Sequence, residues 1–278
     1  MSDRSQNIDV GGASETQSGR SESSAGRPVK VRIEDPSAQA NHDCPPYFLA
    51  DWENILAIHY AVDPQLLQKE IPFALDLFNK QAYVSIFAFQ MTRARPYGTG
   101  PIGAAIFKPF ASQPSLNVRT YVRHKGERGI FFMTEWMPNP IGAVVTRTMF
   151  GLPYRVGTVE LGAVKPDGAF AAEIVDMLTQ KSLRYRGLRE LNPAYKTPAP
   201  ESLEAFVMER YVTVTGEPSF ARTLRVNHAP WQICRADVEI EEASLLQLTP
   251  HWHNRSEYIG ACWSPAVRDI SLDRPRIA

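Results

Sequence analysis

Apolar and polar residues alternate with a period of two along much of the chain, and the helical period of 3.6 surfaces only in short stretches. The run Trp52-Glu53-Asn54-Ile55-Leu56-Ala57-Ile58-His59-Tyr60 predicts a strand over Asp51 to Val62, with His59 facing the core. Asp63-Pro64 then supplies a capping carboxylate and a proline suited to the first helical position, which predicts a short helix ending near Pro72. Around Tyr83-Val84-Ser85-Ile86-Phe87-Ala88-Phe89 both alternate sets of positions are apolar, as in a strand covered on each side. Residues 96–115 are rich in Pro, Gly and small side chains and read as a long loop.

In the next strand Val118, Thr120 and Val122 share one face, while Asn117, Arg119, Tyr121 and Arg123 share the other. Lys125-Gly126-Glu127-Arg128-Gly129 turns the chain, and Ile130 to Trp136 returns as the second strand of a hairpin. Asn139-Pro140 caps a helix whose Ile141, Val144, Val145, Thr148 and Met149 recur at helical spacing, with Gly151 as its stop. Further strands are predicted at 154–164, 183–186, 211–215, 222–228 and 236–241, with a helix over 202–210 that turns Leu203, Phe206 and Val207 inward. No repeat is visible. Many strands and few short helices favour a single mostly β (α+β) domain over residues 44–278, an antiparallel barrel with a few peripheral helices. Residues 1–43, dominated by Ser, Gly, Gln and Glu, bury too little apolar surface to offset ordering and are expected to be a disordered tail.

Charge narrows the choice of partner. Thirty basic residues balance thirty acidic ones, so neither nucleic acid nor a membrane is expected, and a small molecule is. Homo-oligomerisation stays open. Cys44, Cys234 and Cys262 are far apart and fit neither a disulfide framework nor a zinc site. With no signal-peptide core and no apolar run of ~20 residues, the chain reads as cytoplasmic. His251-Trp252-His253 places two imidazoles on one strand face, but without a third ligand no metal is expected. Dinucleotide, Walker, nucleophile-elbow and zincin motifs are lacking, and no cofactor is expected.

Tyr60-Ala61-Val62-Asp63-Pro64, Asn117-Val118-Arg119-Thr120-Tyr121-Val122, Phe150-Gly151-Leu152-Pro153-Tyr154, Glu209-Arg210-Tyr211 and His228-Ala229-Pro230-Trp231 together resemble the YqjF-like family, a bacterial domain family of unknown function. More distantly, the layout is similar to the acetoacetate decarboxylase-like superfamily, which implies that superfamily's β-barrel. There, a Gly-x-Pro-Lys-Lys turn supplies a Schiff-base lysine and a second lysine that depresses its pKa. The resemblance puts Tyr154 and Arg155 at those two positions, and tyrosine forms no imine. It also aligns an arginine of the decarboxylase with Glu53 and a pocket glutamate with Ser115.

Candidate chemistry collects around these segments. Arg119, Tyr121 and Arg123 would form an anion-binding wall if their face lined a barrel interior, and otherwise a solvated edge or ion pairs to Glu53 or Glu135. Tyr154, held by a rigid turn, suits a proton or hydrogen-bond donor, with Arg155 beside it, or else a packing residue. His228 and Trp231 suit a pocket rim, although a lone histidine also serves structurally. The readings are a lyase or enolising enzyme without the Schiff-base lysine, acting on a small organic acid or keto compound; a non-catalytic binding protein; and a structural, oligomerising domain. Catalytic roles fall to Tyr154 and His228, and binding roles to Arg119, Tyr121, Arg155 and Trp231.

Overall fold

A computed structural model describes residues 45–249 and 251–277. The expected tail over 1–43, and Cys44, lie outside the described residues. In chain order the elements are β1 (Phe48–Val62), α1 (Pro64–Leu67), β2 (Ala74–Leu75), β3 (Ala82–Pro96), α2 (Gly100–Phe107), β4 (Gln113–His124), β5 (Glu127–Met137) and α3 (Pro140–Phe150). There follow β6 (Tyr154–Leu161), β7 (Ala169–Asp176), β8 (Ser182–Arg189), α4 (Leu203–Met208), β9 (Val212–Thr215), β10 (Arg222–Asn227), β11 (Cys234–Glu242), β12 (Ser256–Leu272) and β13 (Arg276–Ile277).

The chain is mostly β, and its strands form one hydrogen-bonded network that closes on itself twice. Nine strands, in the order β5-β6-β7-β8-β11-β12-β1-β3-β4, close as a barrel through the β4–β5 pairing. A second ring of seven runs β4-β3-β1-β12-β10-β9-β5, closed by β10–β12 and by the short parallel β5–β9 pairing. The rings share β12, β1, β3, β4 and β5, so much of their length is covered on both faces, while the start of β12 at Glu257, Tyr258 and Ile259 stays exposed. One face sends Leu56, Ile58, Val84, Ile86, Val118 and Trp136 into the nine-strand core. The other carries Ile55, Ala57, Phe87, Phe89 and Tyr121 into the smaller ring.

Two bulges reset the alternation on that shared sheet. In β1 the pairing shifts between Glu53 and Leu56, where Asn54 adopts φ 52°, so Ala50 and Trp52 face the same side as Ile55 and Ala57. In β5 the pairing jumps from Val118 opposite Thr134 to Arg119 opposite Phe132. Met133 is the extra residue, and beyond it the odd-numbered positions take over the face that Ile130 and Phe132 occupy.

Several expectations change. Part of the loop predicted over 96–115 is helix α2. β7 was not expected, and neither was β12, whose Gly260 and Pro265 break the strand pattern. Pro265 is accommodated because the register passes from Ser264 opposite Ile55 to Ala266 opposite Glu53, at the β1 bulge. His251 and His253 sit in a turn and a 3-10 segment, not on a strand. In α3 Gly142, Ala143 and Phe150 are buried and Val145 and Met149 of the predicted stripe are half-buried beside them, whereas Ile141 and Val144 stay largely exposed. α4 does turn Phe206 and Val207 inward.

Candidate functional site

The smaller ring is not filled. Its interior holds a cavity of about 290 Å³, walled by the shared sheet and closed over by α3 and by Phe107 and Phe110 from the α2 segment. The Asn139 side chain accepts a hydrogen bond from the Gly142 N–H at 2.9 Å and starts α3. Gly151 ends it at φ 71°, a conformation that costs a side chain, and Leu152-Pro153 then leads Tyr154 into β6.

Across three adjacent strands Asn117, Glu135 and Tyr154 stand abreast, Asn117 opposite Glu135 and Glu135 opposite Tyr154. The Tyr154 phenol and the Glu135 carboxyl interact electrostatically, and Oε1 of Glu135 has no partner. Burial pushes the Glu135 carboxyl up to about 8, against the opposing pull of the Tyr154 hydroxyl and of the Arg119 charge. Burial, then the neighbouring Glu135, raises the Tyr154 phenol well above its ordinary value.

Arg119 follows Asn117 on the same β4 face and is 5% exposed. Its Nη2 donates to the Val207 carbonyl at 3.3 Å, its guanidinium lies over the Phe87 ring at 3.3 Å, and its Nε has no partner. Desolvation lowers its pKa, with Tyr121, Cys262 and Glu135 opposing. A second guanidinium enters after α4: Arg210 donates from Nε to the Phe206 carbonyl and from Nη1 to Asp76, both at 2.7 Å, while its Nη2 is unpartnered. Burial and Arg128 draw Arg210 down to about 10, with Asp76 opposing. Among the described residues ten buried side-chain polar atoms lack a partner, and seven belong to cavity residues: Gln113, Asn117, Arg119, Glu135, Arg210, Thr213 and Trp231.

The remaining sequence candidates divide. Trp231 is buried in the wall beside Trp52, their ring centres 6.2 Å apart, and its indole Nε1 is unpartnered. His228 borders the cavity, with Nδ1 2.8 Å from the Ala229 carbonyl and its ring stacked on Tyr211 at 4.6 Å. Burial lowers its pKa, which favours the neutral imidazole. Tyr121 stands behind the wall: its hydroxyl meets Ser85 Oγ at 2.6 Å, and Ser85 meets His59 Nδ1 at 2.7 Å. Burial takes His59 down to about 3. Arg155 points to the opposite face, where it grips Asp176 through Nε at 2.6 Å and Nη2 at 3.2 Å, because successive strand residues alternate sides. Arg123 sits at the far end of β4, paired with Asp76 at 2.8 Å. Glu53 pairs with Arg268 outside the cavity. The Ser115 position does line it, but the carboxyl there comes from Glu135.

Glu135 and Arg210 were missed as site residues. Alternation counted from Ile130 puts Glu135 on the wrong face, and no local pattern announces that Arg210 crosses to the sheet. Among the described residues no group of three or more His, Cys, Asp or Glu is placed to hold a metal, and no helix is long and apolar enough to cross a membrane. Cys234 and Cys262 are free and buried.

A mostly β chain with a nine-strand barrel, a helix-to-strand turn ending in Pro153-Tyr154 and a cavity beside that turn defines an acetoacetate decarboxylase-like fold. Solved structures agree. An acetoacetate decarboxylase-like enzyme from Sphingomonas wittichii RW1 superposes with a TM-score of 0.57 at 15% identity, over 89% of this chain and 98% of that one. Acetoacetate decarboxylase from Legionella pneumophila gives 0.55 at 14% identity, over 84% and 88%. The enduracididine biosynthesis enzyme MppR complexed with pyruvate gives 0.56 at 12% identity, over 91% and 98%. Within that fold the chain belongs to the DUF2071 family of uncharacterized conserved proteins, whose profile matches residues 49–267. It is 29% identical over 193 residues to the uncharacterized protein YqjF of Bacillus subtilis, covering 68% of this chain and 76% of that protein.

Proposed function

We propose that the cavity binds a small organic acid or keto compound, with the carboxylate at Arg119 and Arg210. The observation that carries this reading is that seven of the residues lining one cavity each hold an unpartnered buried polar atom. Each such atom costs about 1–3 kcal/mol while unsatisfied, and a ligand with matching polar atoms removes that cost. Two of the seven are guanidinium N–H groups, Arg119 Nε and Arg210 Nη2, and the carboxyl between the sheet strands is kept neutral by burial, so the site favours an anion. Tyr154 supplies a hydroxyl at the wall, Trp231 an apolar surface with one indole N–H, and neutral His228 the rim. Pyruvate bound to MppR is in keeping with a ligand of this size and charge. Tyr154 stands where the superfamily resemblance places a lysine, so any turnover here proceeds without an imine at that position. The cavity also counts against a domain with a filled core.

A thermal-shift panel of small carboxylates, keto acids and enolisable ketones tests this. A ligand at ~100 times its dissociation constant adds roughly 2.7 kcal/mol and raises the midpoint by about 5–10 °C. We expect that rise from carboxylates and its loss in Arg119→Ala, with circular dichroism showing the fold retained. An equal rise in the variant removes the Arg119 anchor, and no rise across the panel removes the reading.

A further inference from the structure

We infer that Glu135 and Tyr154 are a catalytic base and acid for keto–enol proton transfer on a 2-oxo acid with an apolar side chain. This rests on the anion-binding reading of the cavity and goes beyond it by assigning a reaction and a substrate class. Three features of the wall meet the requirements of such a step.

First, the reacting groups stand together. Glu135 and Tyr154 are register neighbours on β5 and β6, and Arg119 lies two residues beyond Asn117, the β4 neighbour of Glu135. Strands are about 4.8 Å apart and two residues span roughly 7 Å, so one small molecule anchored at Arg119 also reaches the pair. Second, Glu135 lines the cavity and its buried Oε1 has no hydrogen bond to give up, so a small side-chain rotation lets it take a proton from carbon. Third, much of the rest of the wall is apolar, including Phe87, Phe89, Phe107, Phe132, Met149 and Trp231, which suits a branched or aromatic side chain better than a methyl group.

The step balances without any co-reactant. Ionised Glu135 takes a proton from C3 of the oxo acid, and the C–H electron pair becomes the C2–C3 double bond. The carbonyl π pair moves to its oxygen, which takes the Tyr154 proton. Tyr154 regains a proton from the neighbouring Glu135. The net change is a 1,3 proton shift; in heavy water the enol hydroxyl and the two side chains exchange their protons with solvent, and reversal then places deuterium at C3. With a carboxyl raised to about 8, Glu135 is a stronger base than an exposed glutamate and ionises close to neutral pH. The charged and titratable groups around it are Arg119 from β4 and Tyr154 from β6, with Arg210 and His228 on the same cavity wall.

The test is deuterium exchange at C3 of 4-methyl-2-oxopentanoate, followed by proton NMR in heavy water and compared with buffer alone, with thermal shift as the measure of binding. The wild-type chain should exceed the buffer rate, with exchange rising with pH and levelling off above about 8. Glu135→Gln should lose roughly 100-fold or more and Tyr154→Phe should slow exchange, both still binding the oxo acid. Binding by the wild type with exchange no faster than buffer overturns the proton-transfer role and leaves the anion pocket standing. Full exchange in Glu135→Gln also overturns it. If other carboxylates raise the midpoint and this probe does not, the 2-oxo acid assignment falls alone; if none does, both readings fall. Should Glu135→Gln fail to fold, the wild-type pH profile and Tyr154→Phe decide: a flat profile with full exchange in Tyr154→Phe is fatal.

Discussion

Glu135 is 3% exposed between Arg119 and Tyr154, and burial outweighs both of them, holding its carboxyl at about 8 against an ordinary 4.5. A carboxyl whose pKa rises on folding stabilises the folded chain fully below the unfolded value, and that stabilisation is lost as pH climbs through the folded value. The window is therefore 4.5 to about 8, and each unit of separation is worth about 1.4 kcal/mol. Glutamine lacks this titration. Denaturant melts of wild type and Glu135→Gln at about pH 5 and about pH 8.5 should show wild type losing ground to the variant by a few kcal/mol at the higher pH. A constant difference would mean that Glu135 titrates normally. Arg119 was legible in the sequence because it alternates with Val118 and Thr120. Glu135 was not, because one extra residue at Met133 reverses the alternation, and bulges leave no signature in hydrophobic pattern.

Among the elements, α3 matters most to the site, because it roofs the cavity through Gly142, Val145, Thr146 and Met149 and aims the turn to Tyr154. Its two ends were readable: Asn139 before Pro140 and Gly151 after Phe150 each answer a backbone requirement that few other residues meet. Its inward face was readable in part: Val145 and Met149 of the helical stripe line the cavity, as does the largely exposed Ile141, whereas Val144 lies on the outside. Asn139→Ala removes the hydrogen bond to Gly142 and should cost about 1 kcal/mol in a denaturant melt. With the roof loosened, the ligand-induced rise in midpoint should also shrink. An unchanged rise would show that the start of α3 does not hold the cavity shut.

At the scale of the molecule, five shared strands divide two interiors with different tasks. The nine-strand interior holds an apolar core in which Ile174 is fully buried, and a second cavity of about 180 Å³ lined by Leu56, Ala88, Phe170, Tyr185 and Trp263, whereas the smaller ring keeps the cavity lined by Arg119 and Glu135. Ile174→Ala should cost roughly 2–5 kcal/mol, as large-to-small core substitutions do. It should leave the ligand-induced rise unchanged, because Ile174 does not line that cavity. Loss of the rise would mean that the two interiors are mechanically coupled through the shared sheet. β12 carries much of this architecture, pairing with β1, β10 and β11, yet it escaped the sequence pattern because glycine and proline interrupt it.

Local chemistry in the sequence determined the hairpin faces around Arg119, the capped helix, the rigid approach to Tyr154, the mostly β class and the family. Only the tertiary structure decided which sheet face would be core and which cavity, since alternation cannot rank two faces that are both buried. It likewise set Glu135 inward through a bulge and carried Arg210 across from α4 on its Asp76 partner. Arg155 it turned away, because a strand sends neighbouring side chains to opposite sides, and the side facing the cavity belonged to Tyr154.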